Sequence, residues 1–319
     1  MQYIGWLSKN LSLSIPLFLV LGLAASLTLP TEGLAVLIVP FTLLMIFPMM
    51  VGVKAQQLVA PGNNAVQLWA IAINFLCIPF IAYGLGLVFF KEQPALALGL
   101  LLTALLPTSG MTISWTGFAK GNVPSAIKLT VVGLLLGSVL TPFYVKFLMG
   151  AQVPVNLGAV FTPIVLFIAV PFVAAQLTRR LLVAKYGQET FQLELAMKFP
   201  PFSSLGVLGI VFVAMALKGA ALVESPILVL KLLLPLVILY GINYALSTLI
   251  ALKMLDRGNG IALVYGTVMR NLSIALALSM TAFGEAGAEA AILIALAYII
   301  QVQSAAGYMK LSERIFLNK

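Results

Sequence analysis

The chain has 319 residues, 62% hydrophobic and only 8% charged, with no histidine, one cysteine and a formal net charge of +9. A soluble domain carries about a quarter charged residues because its surface faces water, so this composition excludes a water-soluble globule and makes a lipid bilayer the chain's main partner. A single cysteine, Cys77, excludes an internal disulfide, and the absence of histidine removes the usual metal ligand and the usual acid–base group near neutral pH.

Ten apolar runs, punctuated by Gly, Pro and charge, predict spanning helices near 11–29, 33–53, 65–90, 95–119, 122–149, 156–183, 200–222, 225–254, 258–283 and 286–311. The first is longer than the apolar stretch of a signal peptide, and another span follows at once, so it reads as a retained helix. The third carries Asn74 at mid-length, with Cys77 one turn later. A buried Asn needs partners, and a neighbouring helix or a ligand would serve equally.

The fourth span holds Pro107-Thr108-Ser109-Gly110-Met111-Thr112 at its middle. Pro107 removes a donor, Gly110 permits unusual dihedrals, and the hydroxyls of Thr108, Ser109 and Thr112 offer replacement partners. Irregular backbone at this depth is tolerated only inside protein or beside a polar cavity. It reads either as a packed kink or as a binding segment, and an interruption in the ninth span favours the second. In the fifth span, Lys128 lies six residues in, about 9 Å from the end at helical rise. It can snorkel to water or serve a site. After the sixth span comes a polar loop near 184–199, too short for a domain.

The ninth span holds Gly266-Thr267 and Arg270-Asn271-Leu272-Ser273 at its middle. Arg270 is about 18 Å from each end at helical rise, beyond the reach of snorkelling. A central Arg costs about 2.5–3.5 kcal/mol or more on insertion, so it must face the bundle interior, either as a structural group on carbonyls at a helix break or as a binding group.

With the N-terminus inside, Lys9, Lys54, Lys120, Arg179, Arg180, Lys185, Lys198, Lys253, Arg257, Lys310, Arg314 and Lys319 fall on the inner side. Lys91, Lys146, Lys218 and Lys231 fall outside, with Glu32, Glu92, Glu224, Glu285 and Glu289. This bias places both termini in the cytoplasm and gives the cationic balance a source other than nucleic-acid binding. An odd number of spans in each half, 1–149 and 150–319, makes the second half enter from the opposite side, the pattern of inverted five-helix repeats. The core of every span lacks Asp and Glu. Its buried charge is positive, and half-helix N-termini add to it. Such a site suits an anion, or a neutral solute held by hydroxyls and amides.

Leu106-Pro107-Thr108-Ser109-Gly110, then Phe118-Ala119-Lys120-Gly121-Asn122 and Leu140-Thr141-Pro142, resemble the fourth and fifth spans of the bile acid/sodium symporter and arsenite permease superfamily. Arg270 to Ala277, followed by Phe283-Gly284, resembles its crossing segment, and Asn74-Phe75 with Pro79 its third span. The resemblance implies an all-α membrane fold of ten helices with a panel and a core, broken fourth and ninth helices that cross, and alternating access. It brings Asn271, Ser273 and Thr130 in beside the residues already named. Thr108 stands where the arsenite branch has Cys, and Ser273 where it has an acidic residue. Gly266 and Arg270 stand where the sodium-coupled branch has Glu and Gln, and Ala126 replaces one of its fifth-span hydroxyls while Thr130 keeps the other.

The expectation is therefore a secondary transporter of a small organic anion or related metabolite, not an enzyme, with no cofactor and with Na+ or H+ as the open choice of coupling ion. The departures at Gly266 and Arg270 favour independence from sodium, and a buried Lys128 would be a candidate proton carrier. Alternatives are an arsenite efflux permease, a channel and a non-transporting receptor.

Overall fold

The computed structural model describes residues 6–7, 10–52, 64–151, 153, 157–218 and 226–317. Lys9, Lys54, Glu224 and Lys319, which enter the charge assignment above, lie outside the described residues.

The described chain is helical throughout apart from turns, breaks and short connections. In order come α1 (Leu11–Thr28), a 3-10 turn over Glu32–Leu37, α2 (Ile38–Val51), α3 (Asn64–Phe89), α4 (Pro94–Leu105), α5 (Gly110–Phe118) and α6 (Val123–Met149). Then follow α7 (Leu157–Ile164), α8 (Val170–Tyr186), α9 (Pro200–Lys218), α10 (Pro226–Met254), α11 (Arg257–Val268), α12 (Leu272–Ala282) and α13 (Gly284–Ile315). Among the described residues, five helical stretches are long and apolar enough to cross a membrane: Asn64–Phe89, Val123–Met149, Gln188–Leu217, Val229–Met254 and Gly284–Ile315. Shorter apolar helices accompany them, α4 and α12 being halves of interrupted rods.

The polar loop expected near 184–199 is instead largely helical. Helix α8 runs on to Tyr186, Gly187 turns the chain at φ 83°, and residues 188–198 wind through short α, π and 3-10 turns into α9. Polarity in that stretch signals a water boundary, not loss of helix.

Besides the π turn at Phe191–Leu195, π segments widen the rods over Ala72–Cys77 in α3 and over Val165–Ala169 between α7 and α8. Each stands just ahead of a proline, Pro79 or Pro171, which has no N–H to donate to the preceding turn. The carbonyl that Pro79 leaves unserved, Phe75 O, accepts from Tyr144 Oη at 2.5 Å.

The helices pack in two groups. In one, α9 lies against α1 and α2, and α8 against α2. In the other, α4 packs between α3 and α13, α12 runs along α13, and α11 touches α3, α5, α6 and α10. The groups meet where α12 crosses α2 and α7, α6 passes α7, and α13 faces α9.

Asp256 caps α11 and anchors a polar latch between two turns. Its carboxylate accepts from Asn259 N at 3.0 Å and Asn259 Nδ2 at 2.6 Å, while Asn259 Oδ1 accepts from Asn122 Nδ2 at 2.9 Å and Ser125 Oγ at 2.8 Å. The bond from the Asn259 backbone holds the Asp256 carboxyl below its ordinary value of 3.8. A depressed carboxyl stabilises the fold above its unfolded pKa, and that contribution fades as pH falls through the lower folded value. Asp256→Ala should therefore cost about 1 kcal/mol at pH 7. The gap in thermal midpoint between wild type and variant in detergent should narrow as the pH drops below 3.8.

Candidate functional site

Residues Leu106 to Ser109 interrupt the rod formed by α4 and α5, and Met269 to Asn271 interrupt the rod formed by α11 and α12. The fourth-span break is shorter than the sequence suggests, since Met111 and Thr112 already lie in α5. The ninth-span break falls on Arg270 and Asn271, while Gly266 and Thr267 stay inside α11.

The breaks satisfy each other. Pro107 and Arg270 form an antiparallel bridge, and Asn271 N donates to Leu106 O at 2.7 Å. On the far side the Gln301 side chain of α13 acts like a further strand. Its Oε1 accepts from Arg270 N at 2.7 Å, and its Nε2 donates to Arg270 O at 3.2 Å. Tyr240 Oη of α10 donates to the same Oε1 at 2.8 Å. Extended backbone thus survives in an apolar core because none of these groups depends on lipid.

Each restarting helix is capped. Ser109 Oγ accepts from Met111 N at 3.3 Å, and Thr112 Oγ1 accepts from Ser109 N at 3.2 Å. Asn271 Oδ1 accepts from Ile274 N at 3.2 Å. These contacts supply partners for amides that a helix start leaves open. Between the caps, Thr108 adopts φ 65°, a costly conformation for a β-branched residue. Its Oγ1 donates to Thr130 O at 3.0 Å and also meets Pro107 O at 2.6 Å. Gly133 and Gly137 of α6 let the break approach: a Cβ on them would lie 2.7 Å from Thr108 Oγ1 and 2.9 Å from Pro107 Cδ.

Arg270 is only 2% exposed. Its Nη1 donates to Asn74 Oδ1 at 2.9 Å and to Ala104 O at 3.2 Å. Asn74, on the π segment of α3, passes the contact on: its Nδ2 donates to Gly266 O at 3.0 Å. Asn243 Nδ2 serves the next carbonyl, Thr267 O, at 2.9 Å. Two buried donors at the junction, Arg270 Nη2 and Asn271 Nδ2, have no partner among the described residues. Orphaned donors of this kind are costly to leave unmade.

The structure therefore brings together Asn74, Thr108, Ser109, Thr112, Arg270 and Asn271. Thr130 joins through its carbonyl, its hydroxyl turning back to Ala126 O at 2.8 Å. Ser273 faces the other way and shares a 2.6 Å hydrogen bond with Tyr298 Oη. Lys128 is half-buried on α6, so the enclosure assumed for a proton carrier is not found. Gln301, Tyr240 and Asn243 were missed from sequence. For Gln301 and Asn243 the signal existed, an amide deep in an apolar run, the one that picked out Asn74; Tyr240 gave no such signal.

Beyond Thr130 lies a cleft of about 350 Å³ between α6 and the α7–α8 rod, with Met50 at its edge. Its walls are nearly all carbon, Phe161, Val165 and Phe172 among them, and the hydroxyls of Thr130 and Ser138 are spent on their own helix. Among the described residues no cluster of Cys, Asp and Glu could hold a metal ion.

The sequence profile of the Sodium Bile acid symporter family matches residues 39–225, a stretch that includes α3 to α6 and the first break but ends before α10. The arsenical-resistance protein Acr3 of Corynebacterium glutamicum is 22% identical over 233 residues, 69% of this chain and 63% of that protein. The chain thus spans under two thirds of that relative. Acr3 of Alkaliphilus metalliredigens is 25% identical over 258 residues, 74% of this chain and 72% of its own. An uncharacterized sodium-dependent transporter of Bacillus subtilis, YocS, is 26% identical over 227 residues, covering 69% and 67%.

Proposed function

We propose, from the premise that this chain belongs to the Sodium Bile acid symporter family, that it is a secondary active transporter of a small organic anion with an apolar body. It is a multi-pass membrane protein of a transporter family. The reading adds ten spans in two inverted repeats, 1–149 and 150–319, with both termini in the cytoplasm. The group of α1, α2, α7, α8 and α9 acts as a panel against which the other helices move.

One observation carries the substrate class. Arg270 Nη2 and Asn271 Nδ2 are buried donors without a partner among the described residues, at the meeting point of two helix breaks. An anionic head group fits both, and the starts of α5 and α12 add favourable potential. The carbon-walled cleft beside Thr130 suits an apolar body. Both donors are enclosed in this conformer, so binding requires the two helix groups to separate, as alternating access supplies.

The test is uptake of labelled organic anions into proteoliposomes. A carrier gives saturable accumulation above the outside concentration under an ion gradient, and Arg270→Ala removes it. Mere equilibration would indicate a channel, and absence of flux across carboxylates, sulfonates and phosphates a receptor. A second reading, arsenite efflux, draws on the two arsenical-resistance proteins among the relatives and on Cys77 one turn past Asn74. If it holds, the chain protects an efflux-deficient host from arsenite and Cys77→Ser abolishes that protection.

A further inference from the structure

The two breaks leave two helix C-termini, those of α4 and α11, pointing into the middle of the protein. A helix C-terminus carries partial negative charge and unserved carbonyls. Where half-helices end at mid-membrane, such carbonyls are the usual seat of a coupling cation, and a family described by sodium symport implies one here.

The donor set of this chain does not fit a free cation. Ala104 O, one residue before the end of α4, already accepts from the Arg270 guanidinium at 3.2 Å. Asn74 Oδ1, the side-chain oxygen that faces the same point, accepts from the same Nη1 at 2.9 Å. Gly266 O, in the last turn of α11, is taken by Asn74 Nδ2 at 3.0 Å, and Thr267 O by Asn243 Nδ2 at 2.9 Å. The oxygens a sodium ion would gather are thus spoken for by nitrogen donors, and one of those donors carries a full positive charge. No Asp or Glu lies in any span core to balance a second cation, and like charges this close repel strongly in a low-dielectric interior.

We infer that the Arg270 guanidinium is a tethered cation that fills the coupling-ion seat at the crossing, so that this chain binds no sodium there. One arm of the group neutralises the carbonyl ends of α4 and α11, directly at Ala104 O and through Asn74 at Gly266 O. The other arm, Nη2, stays open. The charge that relatives of this family would take from solution is here part of the covalent chain. Its presence does not depend on an ion gradient.

The inference shares Arg270 with the transport reading but is tested by binding, not flux, so either can fail alone. Purified full-length protein in detergent is assayed for 22Na+ binding by scintillation proximity, and for thermal midpoint in sodium chloride against choline chloride at equal ionic strength. Wild type should bind no 22Na+ that unlabelled sodium displaces, and its midpoint should be the same in both salts. Arg270→Ala should gain a saturable rise of about 3 °C with sodium or with millimolar guanidinium, because either cation can enter the vacated seat. Saturable, sodium-displaceable 22Na+ binding by wild type overturns the inference, and that arm needs no variant to fold. A folded Arg270→Ala protein that responds to neither cation overturns it too.

Discussion

Asn74→Leu should lower the thermal midpoint of the purified protein sharply, and adding Arg270→Leu should make matters no worse. Among the described residues, Asn74 Oδ1 is the only side-chain acceptor bonded to the Arg270 guanidinium, which is 2% exposed. Removing a hydrogen-bond partner from a buried charge costs more than the about 1–3 kcal/mol of a neutral group, because among the described residues the guanidinium then keeps only Ala104 O. The single variant also frees Gly266 O, which loses its bond from Asn74 Nδ2. In the double variant the stranded charge is gone and only neutral carbonyls lack donors, each a smaller penalty of about 1–3 kcal/mol. The backbone of Arg270 keeps its bonds to Gln301 in either case. A double-mutant cycle on thermal midpoints reads the coupling directly. Strictly additive losses would mean that Asn74 and Arg270 do not act as a unit.

Gly133→Val should abolish uptake in proteoliposomes, more than tenfold below wild type. A Cβ at Gly133 would sit 2.7 Å from Thr108 Oγ1 and 3.0 Å from its Cγ2. Thr108 cannot yield without breaking its bond to Thr130 O, the tie that holds the first break against α6. Overpacking of this kind costs about 1–3 kcal/mol in a rigid core, and displacement of the break moves the neighbouring caps with it. Gly133→Ala should be milder and should recover on addition of Thr108→Gly. That second change removes the clashing side chain and suits the positive φ. Gly33→Ala, with nothing within 4 Å of its Cβ, is the matched control and should leave uptake intact. Equal loss in the control would point to a general effect of altered glycines.

Much of the frame was legible because its causes are local. A run of about 20 apolar residues forms a helix whatever lies around it, and Pro107 interrupts a helix because it lacks an N–H. Arg270 had to lie inside the bundle because lipid could not hold it. What sequence misjudged also has a local cause. Gly266 and Thr267 resemble a break but stay helical, since Asn74 and Asn243, from other helices, serve their carbonyls. The stretch 188–198 reads as loop by polarity yet stays wound.

Partnership was another matter. Asn74 and Arg270 are 196 residues apart, and Gln301 reaches Arg270 from α13, 31 residues further on. Ser273 and Asn271 are two residues apart, yet one faces Tyr298 and the other the crossing. The sequence alone determined that this chain is a helical membrane protein with interrupted rods and a buried cation. Only the tertiary structure decided which carbonyls that cation neutralises, because each partner depends on how neighbouring helices are rotated and packed, a long-range property that no single span encodes.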